Sequence, residues 1–245
     1  MHLAADIGEI CAKVSEVTDA TPYRDTSGRA LSDYPRPSVA VDTALLTVPA
    51  IGTDWGDLSL LLTRTKDAAA GVADTSTEEW RLPGTFLHEG ERLSDAVLRS
   101  LRDKAGIEGL HPRQLRVFDA PGRDNRGWVL SVAHLDAVPA DRIRLTGRTR
   151  LAGVDQVPRL QYDHDDIVTV AADVLRDEYR RAPDPYGLLP EREFTMRDLR
   201  MLHEAVLGER LVADTFRRTM LPGLRPTGTL RRGARGKPAE LFALA

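Results

Sequence analysis

Residues 82–107, LPGTFLHEGERLSDAVLRSLRDKAGI, decide how the rest of the chain is read. Pro83-Gly84 marks a turn. Residues 94–105 predict a helix, with Ser94 as N-cap and Gly106 as its left-handed stop. Leu93, Ala96, Val97 and Leu101 form the apolar arc at i, i+3, i+4 and i+8 spacing. At about 100° per residue, Ser100 and Lys104 fall inside the same arc. Polar side chains turned inward need a reason. Either they occupy a tolerated rim, or this side of the helix faces a ligand cleft.

Composition limits the function classes. At 245 residues the chain is long enough for one large domain or two modest ones, and its 42% hydrophobic and 29% charged content suits a soluble globular protein. No apolar run reaches membrane-spanning length, and the first residues lack the pattern of a secretion signal. The single cysteine, Cys11, excludes an internal disulfide framework and fits a reducing cytoplasm. Its neighbours Ile7, Ile10 and Val14 are at helical spacing, which predicts a buried thiol. The net charge of −3 is unevenly spread: residues 190–245 hold eleven Arg and Lys against seven Asp and Glu. A basic end on an acidic body reads as a local anion-binding surface.

Taken in order, residues 1–36 read as an extension, with a short amphipathic helix over 6–17 followed by a loop-rich, partly flexible arm. From Ser38 the chain turns to strands: VAVDTALLTV, DLSLLLTR, then the stretch quoted above, then QLRVFDAP and GWVLSVAHL joined by GRDNR. A helix over residues 163–181 closes this part, so residues 37–182 predict an α/β/α sandwich. The segment PDPYGLLP at 183–190 marks the boundary. Beyond it, residues 190–245 predict a helix with Thr195 as N-cap and Gly208 as its stop, a short turn, a second Arg-rich helix over about 213–221, and a hairpin with a basic Gly-rich tip. Helix, turn, helix and basic hairpin make a small winged helix-turn-helix. The fold class is therefore mixed α/β and α+β.

Two groups of residues carry chemistry. Arg123 and Arg126 lie between two strands beside Trp128; taken alone they read as a solvated hairpin, with phosphate and base contacts as the alternative. Arg217 and Arg218 on the second helix, with Arg231, Arg232, Arg235 and Lys237 at the hairpin tip, make a cationic surface. Thr215, Arg217 and Arg218 are candidates for base edges in a major groove, with Thr195 added at the start of the preceding helix. The tip residues are candidates for phosphate or the minor groove. Six scattered histidines offer no zinc spacing. Ser/His/Asp and Cys/His arrangements, Rossmann and Walker patterns are absent. No catalytic or metal-binding residue is assigned.

The quoted stretch resembles the Nudix box, whose pattern is a Gly, five residues, a Glu, seven residues, then Arg-Glu-apolar-x-Glu-Glu-x-Gly-apolar. Glu91, Arg99, Leu101, Gly106 and Ile107 keep the frame. Thr85 replaces the Gly, and RSLRDK at 99–104 replaces the acidic core, so two metal-binding positions are Ser100 and Lys104. Nudix hydrolases hold a divalent metal on several such carboxylates to neutralise a diphosphate and activate water. Loss of that set predicts a nucleotide-binding domain without hydrolase activity. Lys104 either pairs with a diphosphate as a fixed cation or snorkels to solvent.

The whole pattern resembles the Nudix-related transcriptional regulators of NAD metabolism, the NrtR family. The resemblance rests on YPRPSVAVD, WRLPGTFLHEGERL, FDAPGRDNRGWVLSVAHL, YDHDDIV, the tail FTMRDLRMLHEAVLGERLVADTFRRTMLPGLRPTG, and RGKPAELF. It implies a cytoplasmic homodimeric repressor on palindromic double-stranded DNA operators of NAD synthesis or salvage genes. It further implies ADP-ribose or a related nucleotide as effector and no required cofactor. Carried over by position, Arg81, Glu91, Arg99, Arg123, Arg126 and Trp128 join Lys104 as effector-binding candidates. The alternative is an ADP-ribose pyrophosphatase with an appended winged helix.

Overall fold

The computed structural model describes residues 23–51, 54–64, 80–157, 159–232 and 238–245. The helix expected over 6–17, with Cys11, lies outside them, as do Arg235 and Lys237 at the wing tip. The chain forms two compact units, Met1–Pro37 and Ser38–Ala245. In the first, the Asp25 carboxylate accepts the backbone N–H groups of Ser27 and Arg29 at 2.8 and 2.9 Å and the hydroxyl of Tyr34. The Arg29 guanidinium lies 5.0 Å over the Tyr34 ring.

The second unit begins with β1 (Ser38–Thr47), whose run SVAVDTALLT is buried over its last eight residues. β2 (Ala50–Ile51) and β3 (Asp54–Trp55) make a short ribbon, and β4 (Ser59–Arg64) returns antiparallel to β1. β5 (Trp80–Arg81) and β6 (Gly84–Phe86) lead into helix α1 (Leu93–Ala105). β7 (Arg113–Phe118), β8 (Val129–Ala137) and β9 (Thr149–Gly153) follow, and helix α2 (His164–Arg181) closes this part. The described strands form a seven-stranded mixed sheet with the path β5-β4-β1-β8-β7; β6 adds to β1 and β9 to β4. β1 and β8 run parallel over nine residue pairs, which places the start of β8 beside the start of β1.

Both faces of this sheet are apolar, so the strands read as near-continuous hydrophobic runs. Period-two alternation sorts them. Ala44 and Leu46 of β1, Leu60 and Leu62 of β4, and Ala133 and Leu135 of β8 face α2, which supplies Ile167, Val168, Ala171 and Leu175. Val41, Leu45, Leu61 and Val132 face α1, which supplies Ala96, Val97, Leu101 and Ala105. The result is an α/β/α sandwich. Leu101 is fully buried; its truncation to Ala would cost about 2–5 kcal/mol.

One cap differs from expectation. α1 starts at Leu93, and Arg92, not Ser94, is its N-cap, without a side-chain cap bond. Leu93 packs on the core, which draws the first turn one residue earlier. Gly106 closes the helix in the left-handed region at φ 67°, as its lack of Cβ allows.

The C-terminal part is built on α3 (Met196–Leu207), α4 (Ala213–Met220), β10 (Phe194–Thr195), β11 (Leu224–Arg231) and β12 (Ala239–Leu244), the strands in the order β10-β12-β11. Phe194, Leu199, Phe216, Met220, Leu224 and Phe242 form its own small core. Leu202 and Val206 of α3 instead join the core beneath α2, together with Tyr179 and Leu188. The segment 183–190 has no regular structure, yet Asp184 and Leu188 are buried in it. No helix among the described residues is long and apolar enough to cross a membrane.

Candidate functional site

A cleft of about 160 Å³ opens where β1, β6, the end of α1 and the start of α2 meet. Asp42, from the middle of β1, is its floor. Its carboxylate accepts the Ser131 hydroxyl at 2.6 Å and lies 3.3 Å from Nε2 of His164 and 4.0 Å from Arg123. Nδ1 of His164 accepts the Leu82 N–H at 3.2 Å, so the ring hydrogen sits on Nε2 and points at Asp42. Burial opposes the Asp42 carboxylate. The neighbouring His164, the Ser131 hydroxyl and the Arg123 guanidinium outweigh it and hold the group below its ordinary range.

Gly84 is required at the cleft wall. A Cβ there would lie 1.9 Å from Asp42 Oδ1 and 2.9 Å from the Val41 carbonyl oxygen. The close approach leaves the Gly84 carbonyl facing α1, where the Lys104 amine donates to it. Lys104 is exposed as a residue, but its amine turns back onto the cleft wall and does not snorkel away. Desolvation of the amine, with Arg81 beside it, lowers its pKa; Asp42 opposes the shift. Ser100, one turn earlier, is buried and its hydroxyl has no hydrogen-bond partner among the described residues. The inward arc expected for these two residues is therefore present, with Lys104 on the cleft and Ser100 behind it.

The arginines divide into two kinds. Arg123 is enclosed: its side chain is 2% exposed, Nε donates to Asp163 at 2.9 Å, and Nη2 donates to the Tyr162 carbonyl at 2.8 Å. Tyr162 and Asp163 both have left-handed backbone, at φ 61° and 58°. Two such non-glycine residues in sequence are strained, and Arg123 clasps both at the start of α2. Arg126 presents its guanidinium to the cleft, 4.4 Å over the Tyr162 ring and 5.0 Å over Phe86. Buried Asp124 orients it, accepting its Nε at 2.9 Å and Nη2 at 2.6 Å. Arg81 also lines the cleft and sits 5.9 Å over Tyr162.

The expected effector residues thus separate. Arg81, Lys104, Arg123 and Arg126 line one cleft. Glu91 and Arg99 do not; they pair at 2.7 and 2.8 Å. Arg99 also donates to the Thr85 hydroxyl at 3.2 Å and the Phe86 carbonyl at 3.0 Å, so the pair ties the β6 loop to α1. Trp128 is 59% exposed and is not part of the cleft lining. Asp42, Phe86, Asp124, Tyr162 and His164 line the cleft without having been assigned a role from sequence. YDHD at 162–165 was a recognisable string, but its left-handed turn depends on the tertiary clasp by Arg123.

Among the described residues no three His, Cys, Asp or Glu side chains converge on a cation site. The acidic groups at the cleft are also engaged: Asp42 by Ser131, His164 and Arg123, and Asp124 by Arg126. The residues present do not fit the metal set of a Nudix hydrolase.

The second surface is the helix-turn-helix. Glu204 of α3 locks its turn: it accepts Arg200, Arg210 at 2.9 Å and the Leu211 N–H at 3.0 Å. Thr215, Arg217 and Arg218 of α4 are exposed. Arg217 leans on the sheet, 5.4 Å over the Phe242 ring and 3.6 Å from Glu240. Thr195 is placed otherwise than a base contact requires. It is 7% exposed, and its hydroxyl accepts the Asp198 N–H in a capping box. Arg231 is also held inside the domain, by Asp198 at 2.9 Å, by Glu191, and by the Glu193 carbonyl at 3.1 Å. Arg232 is exposed.

The family model described as "NrtR DNA-binding winged helix domain" matches residues 185–244. The chain is 28% identical over 223 residues to the "ADPR responsive transcriptional repressor NtrR" of Acinetobacter baylyi, covering 87% of this chain and 84% of that protein. It superposes on the crystal structure of Shewanella oneidensis NrtR complexed with a 27mer DNA, with a TM-score of 0.65, 26% identity, and coverage of 84% of this chain and 93% of that one. Residues 185–244 thus carry a winged helix of the NrtR type, and the chain as a whole is similar to NrtR proteins. It is also 26% identical over 138 residues to an ADP-ribose pyrophosphatase of Methanocaldococcus jannaschii, covering 55% of this chain and 73% of that protein. The NrtR winged helix and the Nudix-like sandwich are thus both present in one chain, as the sequence implied.

Proposed function

We propose that this chain is an NrtR-family DNA-binding transcriptional repressor that senses ADP-ribose or a related nucleotide in the Asp42 cleft and acts on genes of NAD synthesis or salvage. The observation that carries the reading is a cationic cleft and an exposed basic helix joined through the packing of α2 on α3 and of α3 on α4. The first residues of α2 hold the cleft: Asp163 holds Arg123, and His164 holds Asp42. Its last turn carries Tyr179, whose ring is 5.1 Å from His203 of α3, and His203 is 4.9 Å from Phe216 of α4. A ligand that shifts the start of α2 therefore moves the surface on which α4 rests.

In this reading Arg81, Lys104 and Arg126 receive the nucleotide, and Arg123 positions Tyr162. Thr215, Arg217 and Arg218 face base edges, and Arg232 with the wing tip meets phosphate. The protein acts in the cytoplasm as a homodimer on a palindromic operator, where two α4 helices about 34 Å apart enter successive major grooves. Linkage requires that an effector weakening DNA binding is itself weakened by DNA to the same factor.

A mobility shift with DNA from the protein's own upstream region, with and without ADP-ribose, tests this. The expected result is a retarded band that the nucleotide abolishes. A protein that retards no such DNA at low salt is not this regulator. The pyrophosphatase reading draws on the Methanocaldococcus jannaschii relative; Ser100 and Lys104 at two acidic positions of the box speak against it. Release of AMP from ADP-ribose with Mg²⁺ or Mn²⁺ would restore it.

A further inference from the structure

We infer that Lys104 stands in for the divalent cation of a Nudix site, so that the cleft holds the diphosphate of a nucleotide directly and without metal. The inference rests on the nucleotide reading of the cleft and adds how its charge is balanced. Three observations converge. First, the Lys104 amine is at the cleft wall, anchored on the Gly84 carbonyl, at a position where the box pattern has a carboxylate. Second, the cleft lining holds four cationic side chains, Arg81, Lys104, Arg123 and Arg126, against two carboxylates, Asp42 and Asp124. Asp163 pairs with Arg123 from outside the lining, which still leaves a net positive cleft that attracts a diphosphate diester, with one negative charge per phosphate, without an added cation.

Third, both carboxylates are already engaged: Asp42 by Ser131 and His164, with Arg123 4.0 Å away, and Asp124 by Arg126. A hydrated divalent ion would have to displace those donors and settle beside an ammonium and three guanidinium groups, which Coulomb repulsion disfavours. An ammonium hydrogen-bonded to the loop needs no such rearrangement. It meets phosphate as a point charge with donors to spare.

The test is calorimetric titration of the full chain with ADP-ribose in EDTA and in Mg²⁺. The wild-type dissociation constant should agree within about twofold between the two buffers. Lys104→Gln should weaken binding by about tenfold or more in both. Lys104→Glu should abolish binding in EDTA and regain part of it in Mg²⁺, because a carboxylate at that point invites a metal. Wild-type binding that requires Mg²⁺, or Lys104→Gln binding at full strength, overturns the inference alone. Absence of wild-type binding in both buffers overturns the nucleotide reading together with it. Melting curves of the variants, whose side chain is exposed, separate lost affinity from lost fold.

Discussion

The hydroxyl of Tyr179 in α2 donates to the carboxylate of Asp184 at 2.7 Å, and both residues are buried. The same carboxylate accepts the N–H groups of Leu188 and Leu189 at 2.9 and 3.0 Å. Asp184 thus folds the segment between the two functional parts against the helix that connects them. On the other side of Tyr179, His203 presents its edge and bonds through Nε2 to the Pro183 carbonyl. The seam between the cleft and the helix-turn-helix is therefore a packed, hydrogen-bonded joint.

Tyr179→Phe should keep the packing and remove one bond to a buried carboxylate. A loss of about 1–3 kcal/mol is expected from chemical denaturation. If α2 transmits cleft occupancy, the variant should also bind DNA with a smaller response to ADP-ribose. A variant with wild-type stability would show that Asp184 is held without Tyr179.

Gly84→Ala should close the cleft from within. The new methyl would overlap Asp42 Oδ1, so the carboxylate must leave Ser131 and His164. Overpacking of this kind costs about 1–3 kcal/mol, and nucleotide binding should fall with it. Thermal melts and titration with ADP-ribose check the two effects separately.

Glu91 should resist protonation. Its hydrogen bonds from Arg99 and the His88 N–H lower its pKa from 4.5 to about 2. A carboxyl with a depressed native pKa adds stability above its unfolded pKa and loses it as pH falls through the native one. The tie between the β6 loop and α1 should hold above about pH 4.5 and weaken progressively toward pH 2. Side-chain carboxyl NMR through this window checks it, and Glu91→Gln should remove the dependence. A Glu91 midpoint near its ordinary value would show that Arg99 does not hold it in solution.

Arg218→Ala and Arg231→Ala should behave differently. Arg218 is exposed on α4, and its loss should weaken DNA binding and reduce the slope of log K against log salt by about 0.9 if it meets one phosphate. Arg231 is tied to Asp198 and Glu191, so its loss should lower the domain's melting temperature and leave that slope unchanged. Binding measured at several salt concentrations separates the two.

Local patterning was enough for the sandwich and the winged helix. The apolar runs of β1, β4 and β8, the apolar arc of α1, the Thr195 cap and the Gly106 and Gly208 stops are short-range signals, each readable within one or two turns or a strand. The inward side of α1 was legible for the same reason: a period of about 3.6 residues places Lys104 relative to Leu101 without knowledge of the fold.

Pairing and enclosure were another matter. Glu91 and Arg99 have residue types suited to a ligand, yet they neutralise each other eight residues apart in sequence. Arg123 has the chemistry of a phosphate contact, yet Asp163, forty residues on, claims it. Asp42 is one polar residue in an apolar strand until β6, β8 and α2 bring Gly84, Ser131 and His164 around it. Thr195 and Arg231 look available for DNA until the capping box and the acidic pair engage them. Side-chain charge and periodicity are written along the chain. Which charge meets which, and which remains open to a ligand, depends on contacts between distant elements, and these exist only once the core has formed.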